Sequence, residues 1–403
     1  MLIIHMDVAL TLAVAAVTLG VGEWVKNRVP ILSRYFIPSP VIGGVIFSII
    51  ALLGYVSDLF LFGIDGTMRD YLLLVFFTTI GFSASFELLK RGGVAVALFL
   101  ACALVLVVMQ NVVGALMAKG LGVSPLIGLA AGSISLTGGH GTSAAFGPLL
   151  EEAGAVGALP VAIAAATWGL VAGCVIGGPV GTLLMRRNNL TGRDFISRQD
   201  ERDEARAKVA TASAAVERAD AAILKAIMLL LICIGVGTVL VNALKAANVT
   251  LPAYLGPMLV AAIVRNVIDY RGWRMPQREF EVVGNVSLAF FLTLALMSMK
   301  LWELAAVAGP MLAILIVQTA IMFAFAYFIT FRVMGSDYDA AVIAAGHCGF
   351  GMGATPNAMA NMEAFTRVNG PSFKAFFVIP LVGSLFIDFF NAITITSFIG
   401  IFQ

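Results

Sequence analysis

Two short segments hold most of the residues whose types could do chemistry. Residues 132–145 read GSISLTGGHGTSAA and residues 346–357 read GHCGFGMGATPN, each between long apolar stretches. Glycine lets two arms of a hairpin approach closely and lets its tip adopt positive φ. Such a tip exposes backbone N–H and C=O groups, and amide donors at the start of a half-helix attract carboxylates. Hydroxyls and carbonyls, from Ser133, Ser135, Thr137, Thr142, Ser143 and Thr355, are suitable oxygen ligands for Na⁺. The chemistry suits an anion carried together with a cation. No Lys-Ser/Thr follows GGHGT, so a phosphate loop is a poor reading. Neither His140 nor His347 has an acidic or thiolate cluster beside it, and the four cysteines lack metal-ligand spacing. His140 has three roles open to it: contacting substrate, titrating near neutrality, or hydrogen-bonding across the hairpin.

Ionisable groups at membrane depth are costly and default to function. Asp388 sits inside GSLFIDFFNAITIT, with Asn391 on the same helical face; it reads as a cation-site or substrate-site residue. Gln110–Asn111 and Gln318–Thr319 recur at matching places, as paired site residues or paired helix contacts. Asn285 and Ser287 are weaker candidates, and Arg265, Asn266 and Asp269 read as an anchor at a span end.

The elements that must position these residues follow from composition. The chain is 60% hydrophobic and only 12% charged, half the charge of a soluble protein. Apolar blocks of roughly 17–25 residues recur along it, too long and uniform for barrel strands. The spacing predicts ten spans: 5–23, 38–57, 71–88, 94–118, 158–184, 222–244, 252–268, 281–299, 304–331 and 373–398. The first block has no basic flank before it, which speaks against a signal peptide. With the N-terminus outside, 21 of the 25 Lys and Arg fall on the cytoplasmic side, leaving Arg69, Lys119, Lys245 and Lys300 opposite. That separation holds only if the polar segments, near 124–148 and 338–358, each leave on the side they entered. Both are therefore expected to be re-entrant.

Residues 186–221 are charged on an alanine-rich background and read as a cytoplasmic linker. The parts on either side repeat one order: a span, a span with glutamine, Ala-Ala-Gly, then glycines ending in Thr142 or Thr355. Gln110 to Gly132 is 22 positions and Gln318 to Gly346 is 28, so the second copy carries an insertion. Five spans per copy is odd, so the copies are inverted in the bilayer, a common plan of secondary transporters. The expected fold is an all-α polytopic membrane protein of two inverted five-helix repeats, 1–185 and 222–403, each with a glycine-rich re-entrant hairpin.

SISLTGGHGT at 133–142, AAGHCGFGMGATP at 344–356, RDYLLLVFFTTIGFSA at 69–84 and the stretch from Pro380 to Asn391 together resemble the bacterial glutamate:sodium symporter family. The resemblance covers essentially the whole chain. It implies Na⁺-coupled uptake of L-glutamate across the bacterial inner membrane and a homodimer in which a transport domain moves against a scaffold. No enzyme activity, cofactor beyond Na⁺ as coupling ion, or nucleic-acid partner is expected; lipid is. Both termini are expected to be periplasmic. A channel built from opposed re-entrant loops is the alternative. Substrate-binding candidates are Ser135, Thr137, Gly138, Gly139, His140, Gly141, Thr142, Gly351, Gly353, Thr355 and Asn357. Sodium-binding candidates are Ser133, Gln110, Asn111, Gln318, Thr319, Asp388 and Asn391.

Overall fold

The structure is a computed structural model and describes residues 2–34, 37–190, 216–246, 252–273, 275–304 and 307–402. Most of the expected linker, residues 191–215, lies outside them. Helices occupy all ten expected span positions. α1 (Val8–Arg28) starts where Asp7 caps the Leu10 amide at 2.8 Å and ends on Lys26 and Arg28, whose charges oppose the helix dipole. A short α2 (Pro30–Arg34) leads to α3 (Ser39–Val56), which opens on proline, where no N–H is needed. α4 (Thr67–Ser83) and α5 (Phe86–Gly120) follow. Then come α6 (Pro125–Ala130), α7 (Gly139–Glu152) and α8 (Ala158–Arg187). The second half holds α9 (Val216–Ala246), α10 (Leu255–Tyr270), α11 (Gln277–Met297) and α12 (Ala308–Phe325). It closes with α13 (Tyr338–Gly351), α14 (Thr355–Asn369), α15 (Phe373–Leu385) and α16 (Ile387–Phe402).

Seven of the described helices are long and apolar enough to span a membrane, or eight if the bent pair α15–α16 is one span. The chain is a multi-pass membrane protein. α4 and α10, with 17 and 16 residues, are the shorter members of the expected ten.

Four details depart from the expectation. Residues 2–6 form a strand, β1 (Leu2–Met6), paired in parallel with β2 (Phe60–Ile64), so the fold is not purely helical. Asp7 caps α1 from the other side and stops the helix from absorbing these residues. The span expected at 71–88 ends at Ser83, because Asn266 holds the elbow after it. Its Nδ2 donates to Ala84 O at 2.8 Å and its Oδ1 accepts from Phe86 N at 2.9 Å. Beside it Asp269 accepts from Ser85 Oγ at 2.5 Å and from Arg265 Nε at 2.9 Å, which makes this cluster the anchor its position suggested. The last span is two helices meeting at a 45° bend around Phe386. Finally, α12 runs on through a π-helical turn, Ala326–Thr330, to Val333, whereas the helix after Gln110 stops at Gly120. Most of the insertion in the second copy sits in this wide turn and its extension, a usual way for a helix to absorb extra residues.

The helices sort into two groups. In the first, α4 packs between α10 and α11, α3 lies on α11, α1 on α3 and α9 on α10. Two small apolar clusters flank this row, one around Phe82, Leu230 and Phe280, the other around Phe47, Leu294 and Met297. The second group is α5–α8 with α12–α16 and holds most of the large core. α8 meets α13 along glycines four residues apart. A Cβ on Gly169 would lie 2.0 Å from Met352 O, and one on Gly173 2.8 Å from Cys348 O. Small residues at such seams let helix backbones approach closely where lipid supplies no hydrophobic drive between helices.

Candidate functional site

Each glycine-rich segment is a broken helix. α6 stops at Ala130 and α7 resumes at Gly139, whose φ of +65° favours glycine. α13 stops at Gly351 and α14 resumes at Thr355. The two breaks touch, since a Cβ on Gly139 would lie 3.1 Å from Gly353 O.

A cavity of about 490 Å³ opens where they meet. Thr137, Gly138, Gly139, His140, Gly141, Thr142, Gly353 and Thr355 line it, and so does Asp388 from the first turn of α16. α7 and α14 both begin at this cavity, so two positive helix ends face it. Asn285 adds an amide, while Phe76, Leu288, Leu292 and Phe350 supply apolar wall. Asp388 makes no hydrogen bond or ion pair among the described residues, and no Lys or Arg lines the cavity. Of its lining, Phe76 belongs to the 69–84 stretch but was not a candidate there, and neither were the α11 leucines, Pro38 or Pro40.

The other candidates lie behind the cavity in a buried polar network. Gln110 joins the two breaks: its Oε1 accepts from Thr137 Oγ1 at 2.8 Å and its Nε2 donates to Gly351 O at 2.7 Å. Its own carbonyl accepts from Gln318 Nε2 at 2.7 Å. Asn111 Oδ1 accepts from Ser133 N at 3.1 Å. Ser133 Oγ donates to Asn391 Oδ1 at 2.8 Å, and Asn391 Nδ2 returns to Ser133 O at 3.2 Å. Ser135 donates to Ala130 O, and Ser143 donates to Gly139 O at 2.7 Å. Asn357 Nδ2 donates to Leu170 O at 2.9 Å, tying α14 to α8. Thr319 accepts from Trp168 Nε1 at 3.1 Å. Asn111 Nδ2, Gln318 Oε1 and Asn357 Oδ1 are buried without a partner among the described residues. His140 lines the cavity, and its Nε2 lies 2.9 Å from Thr167 Oγ1 of α8, a partner outside the hairpin rather than across it. Thr167 Oγ1 is also 3.0 Å from Ile163 O, so it joins the His140 ring to the backbone of α8.

On the far side of the break at Phe386 lies an apolar groove of about 460 Å³. Phe386, Phe389 and Phe390 form one wall, and Leu259, Ile263 and Val267 of α10 the other.

A profile of the sodium/glutamate symporter family matches residues 4–371. The chain belongs to this family. A sodium/glutamate symporter of Escherichia coli (strain K12) is 43% identical over 401 residues, 98% of each chain. One from Haemophilus influenzae is 41% identical over 384 residues, 95% of this chain and 94% of the relative. No solved structure matches the chain. Symporters are carriers, not enzymes, which accords with a cavity built from hydroxyls, amides and one carboxylate. The two broken helices of this family member thus bring sequence-distant residues 137–142 and 353–355 to one site.

Proposed function

We propose that the protein is a Na⁺-coupled symporter that imports L-glutamate across the bacterial inner membrane by alternating access, its cavity between the broken helices holding the substrate. The observation that carries this reading is that cavity, faced by two helix N-termini and lined by a carboxylate that has no partner among the described residues. The names of the relatives supply the substrate and the ion.

The halves are two inverted repeats with re-entrant segments at 124–148 and 338–358. Packing supports this, because exchanging α1, α3 and α4 for α9, α10 and α11 reproduces the first helix group. The positive-inside rule puts both termini in the periplasm and residues 186–221 in the cytoplasm. α1 and α9, the first spans of the repeats, leave most of their apolar surface uncovered, and this supports lipid contact and a homodimer built on such a face.

In that orientation the site faces inward. A second cavity of about 310 Å³ shares Phe76 and Asn285 with the first and continues past Ser83, Gln277 and Glu281 toward the cytoplasm. On the periplasmic side the described residues make close contacts. A Cβ on Gly157 would lie 3.0 Å from Glu303 O, Tyr55 stacks on Trp302 at 4.1 Å, and Glu151 accepts from Leu159 N at 3.0 Å. Burial there pushes the Glu151 carboxyl above its ordinary range, against the Leu159 N–H; Glu303 raises it further and Lys300 lowers it.

Two measurements test this. Purified protein in proteoliposomes is expected to accumulate labelled L-glutamate only under an inward Na⁺ gradient; equal uptake with K⁺ would remove the coupling, and ohmic single-channel current would make it a channel. Glu281→Cys, on a background freed of the four native cysteines, is expected to react with an impermeant maleimide in inside-out vesicles. Labelling from the periplasmic side instead would reverse the orientation.

A further inference from the structure

The site contains one carboxyl side chain of its own. Asp388 is the only acidic side chain lining the central cavity, with no Lys or Arg opposite it and no hydrogen-bond partner among the described residues. The remaining polar side chains there are Thr137, Thr142, Thr355, His140 and Asn285. A lone carboxylate walled by Phe76, Leu288, Leu292 and Phe350 is costly until a cation completes it. The same cavity receives the N-terminal ends of α7 and α14, two places that favour an anionic oxygen over any cation. Two positive ends and one carboxylate are the charge complement of a molecule with two carboxylates and one ammonium. If Na⁺ occupied Asp388, the side chains left to the ammonium of such a substrate would be hydroxyls, an amide and the His140 ring, none of them charged to match it as a carboxylate is.

We propose that Asp388 receives the α-ammonium of the substrate and is the residue by which this carrier rejects dicarboxylates that lack one. The proposal rests on the glutamate-carrier reading and names the group that reads the substrate's amine. A pocket built to pair with a substrate N–H rejects the analogue without it far more strongly than a merely apolar pocket rejects a wrong shape. Asp388 is therefore a specificity-determining residue, and Na⁺ is bound elsewhere.

The probe is glutarate, which keeps both carboxylates of glutamate and lacks the ammonium. Wild-type uptake under a Na⁺ gradient is the control; its absence would defeat the carrier reading itself, whatever happens at Asp388. With that control in place, wild-type protein is expected to prefer glutamate over glutarate by about 100-fold or more, the range of one charge-assisted bond lost. In Asp388→Asn, glutamate affinity is expected to fall about 100-fold. Glutarate is then expected to compete within about tenfold of glutamate, and the Na⁺ concentration for half-maximal uptake to stay at the wild-type value. A raised Na⁺ requirement with the glutamate-to-glutarate ratio unchanged overturns the proposal and returns Asp388 to the ion. Asp388→Glu is the second variant, should the amide variant fail to fold. It keeps a carboxylate one methylene further into the cavity and is expected to go on rejecting glutarate while gaining relative affinity for the shorter L-aspartate. Equal competition by glutarate in that variant also overturns the proposal.

Discussion

Gln110→Ala is expected to lower Na⁺-driven glutamate uptake about 100-fold or more while the protein still inserts and purifies. The side chain is buried and its amide joins the two broken helices, accepting from Thr137 and donating to Gly351 O. Truncation removes both short bonds and leaves Thr137 Oγ1 and Gly351 O only their longer contact with each other, 3.4 Å, at about 1–3 kcal/mol for each bond lost. That energy is lost where the two segments must keep register with each other, so the cavity between them loses its shape before the membrane core loses its fold. Gln110→Glu is the sharper variant. It retains an acceptor for Thr137 but sets a second acceptor against Gly351 O, so it is expected to be no better than alanine. Uptake in proteoliposomes, read beside a thermal melt of the purified variants, decides this. Wild-type uptake by Gln110→Ala would remove the bridge from the mechanism.

The second large effect is expected at the α8–α13 seam. A methyl on Gly169 would lie 2.0 Å from Met352 O, whereas on Gly178 of the same helix it would meet nothing within 4 Å. Gly169→Ala is expected to destabilise by about 3 kcal/mol, since added volume in a packed seam forces backbone shifts, and to abolish uptake. Gly178→Ala is expected to match wild type in both melt and uptake. The contrast matters because both substitutions change helix propensity equally. Equal behaviour of the two would show that the close approach of α8 to α13 is not what holds the second break in place.

Much of this site was legible from residue types. Glycines clustered between apolar blocks marked both breaks, because a lipid-facing chain cannot leave backbone groups unpaired. Asp388 stood out because a carboxylate inside a span needs a reason. The hydroxyls of Thr137, Thr142 and Thr355 were readable for the same cause, as polar atoms in a greasy setting.

Other features depend on partners far away in the chain. That Gln110 reaches both Thr137 and Gly351 follows from how α5 lies against the other half, and no local pattern encodes it. Ser133 proved to be bonded to both Asn111 and Asn391, the latter 258 positions away. The bend at Phe386 follows Pro380 and the pair Gly383-Ser384, which permit a kink without saying that the chain takes it, and the pairing of Leu2–Met6 with Phe60–Ile64 needs both segments at once. The π-helical turn at Ala326–Thr330 was visible only as six extra positions in the second copy, with no sign of where they would be stored.

The break between α15 and α16 has a face on each side. Ile387 and Asp388 look into the polar cavity, while Phe386, Phe389 and Phe390 line the apolar groove against α10. The wall between the aqueous pocket and that groove is thus a single helical segment thick. An apolar compound filling the groove would bear on the helix that carries Asp388 without entering the solute's path. Inhibition of that kind would not be relieved by excess glutamate, which sets it apart from blockade by a substrate analogue.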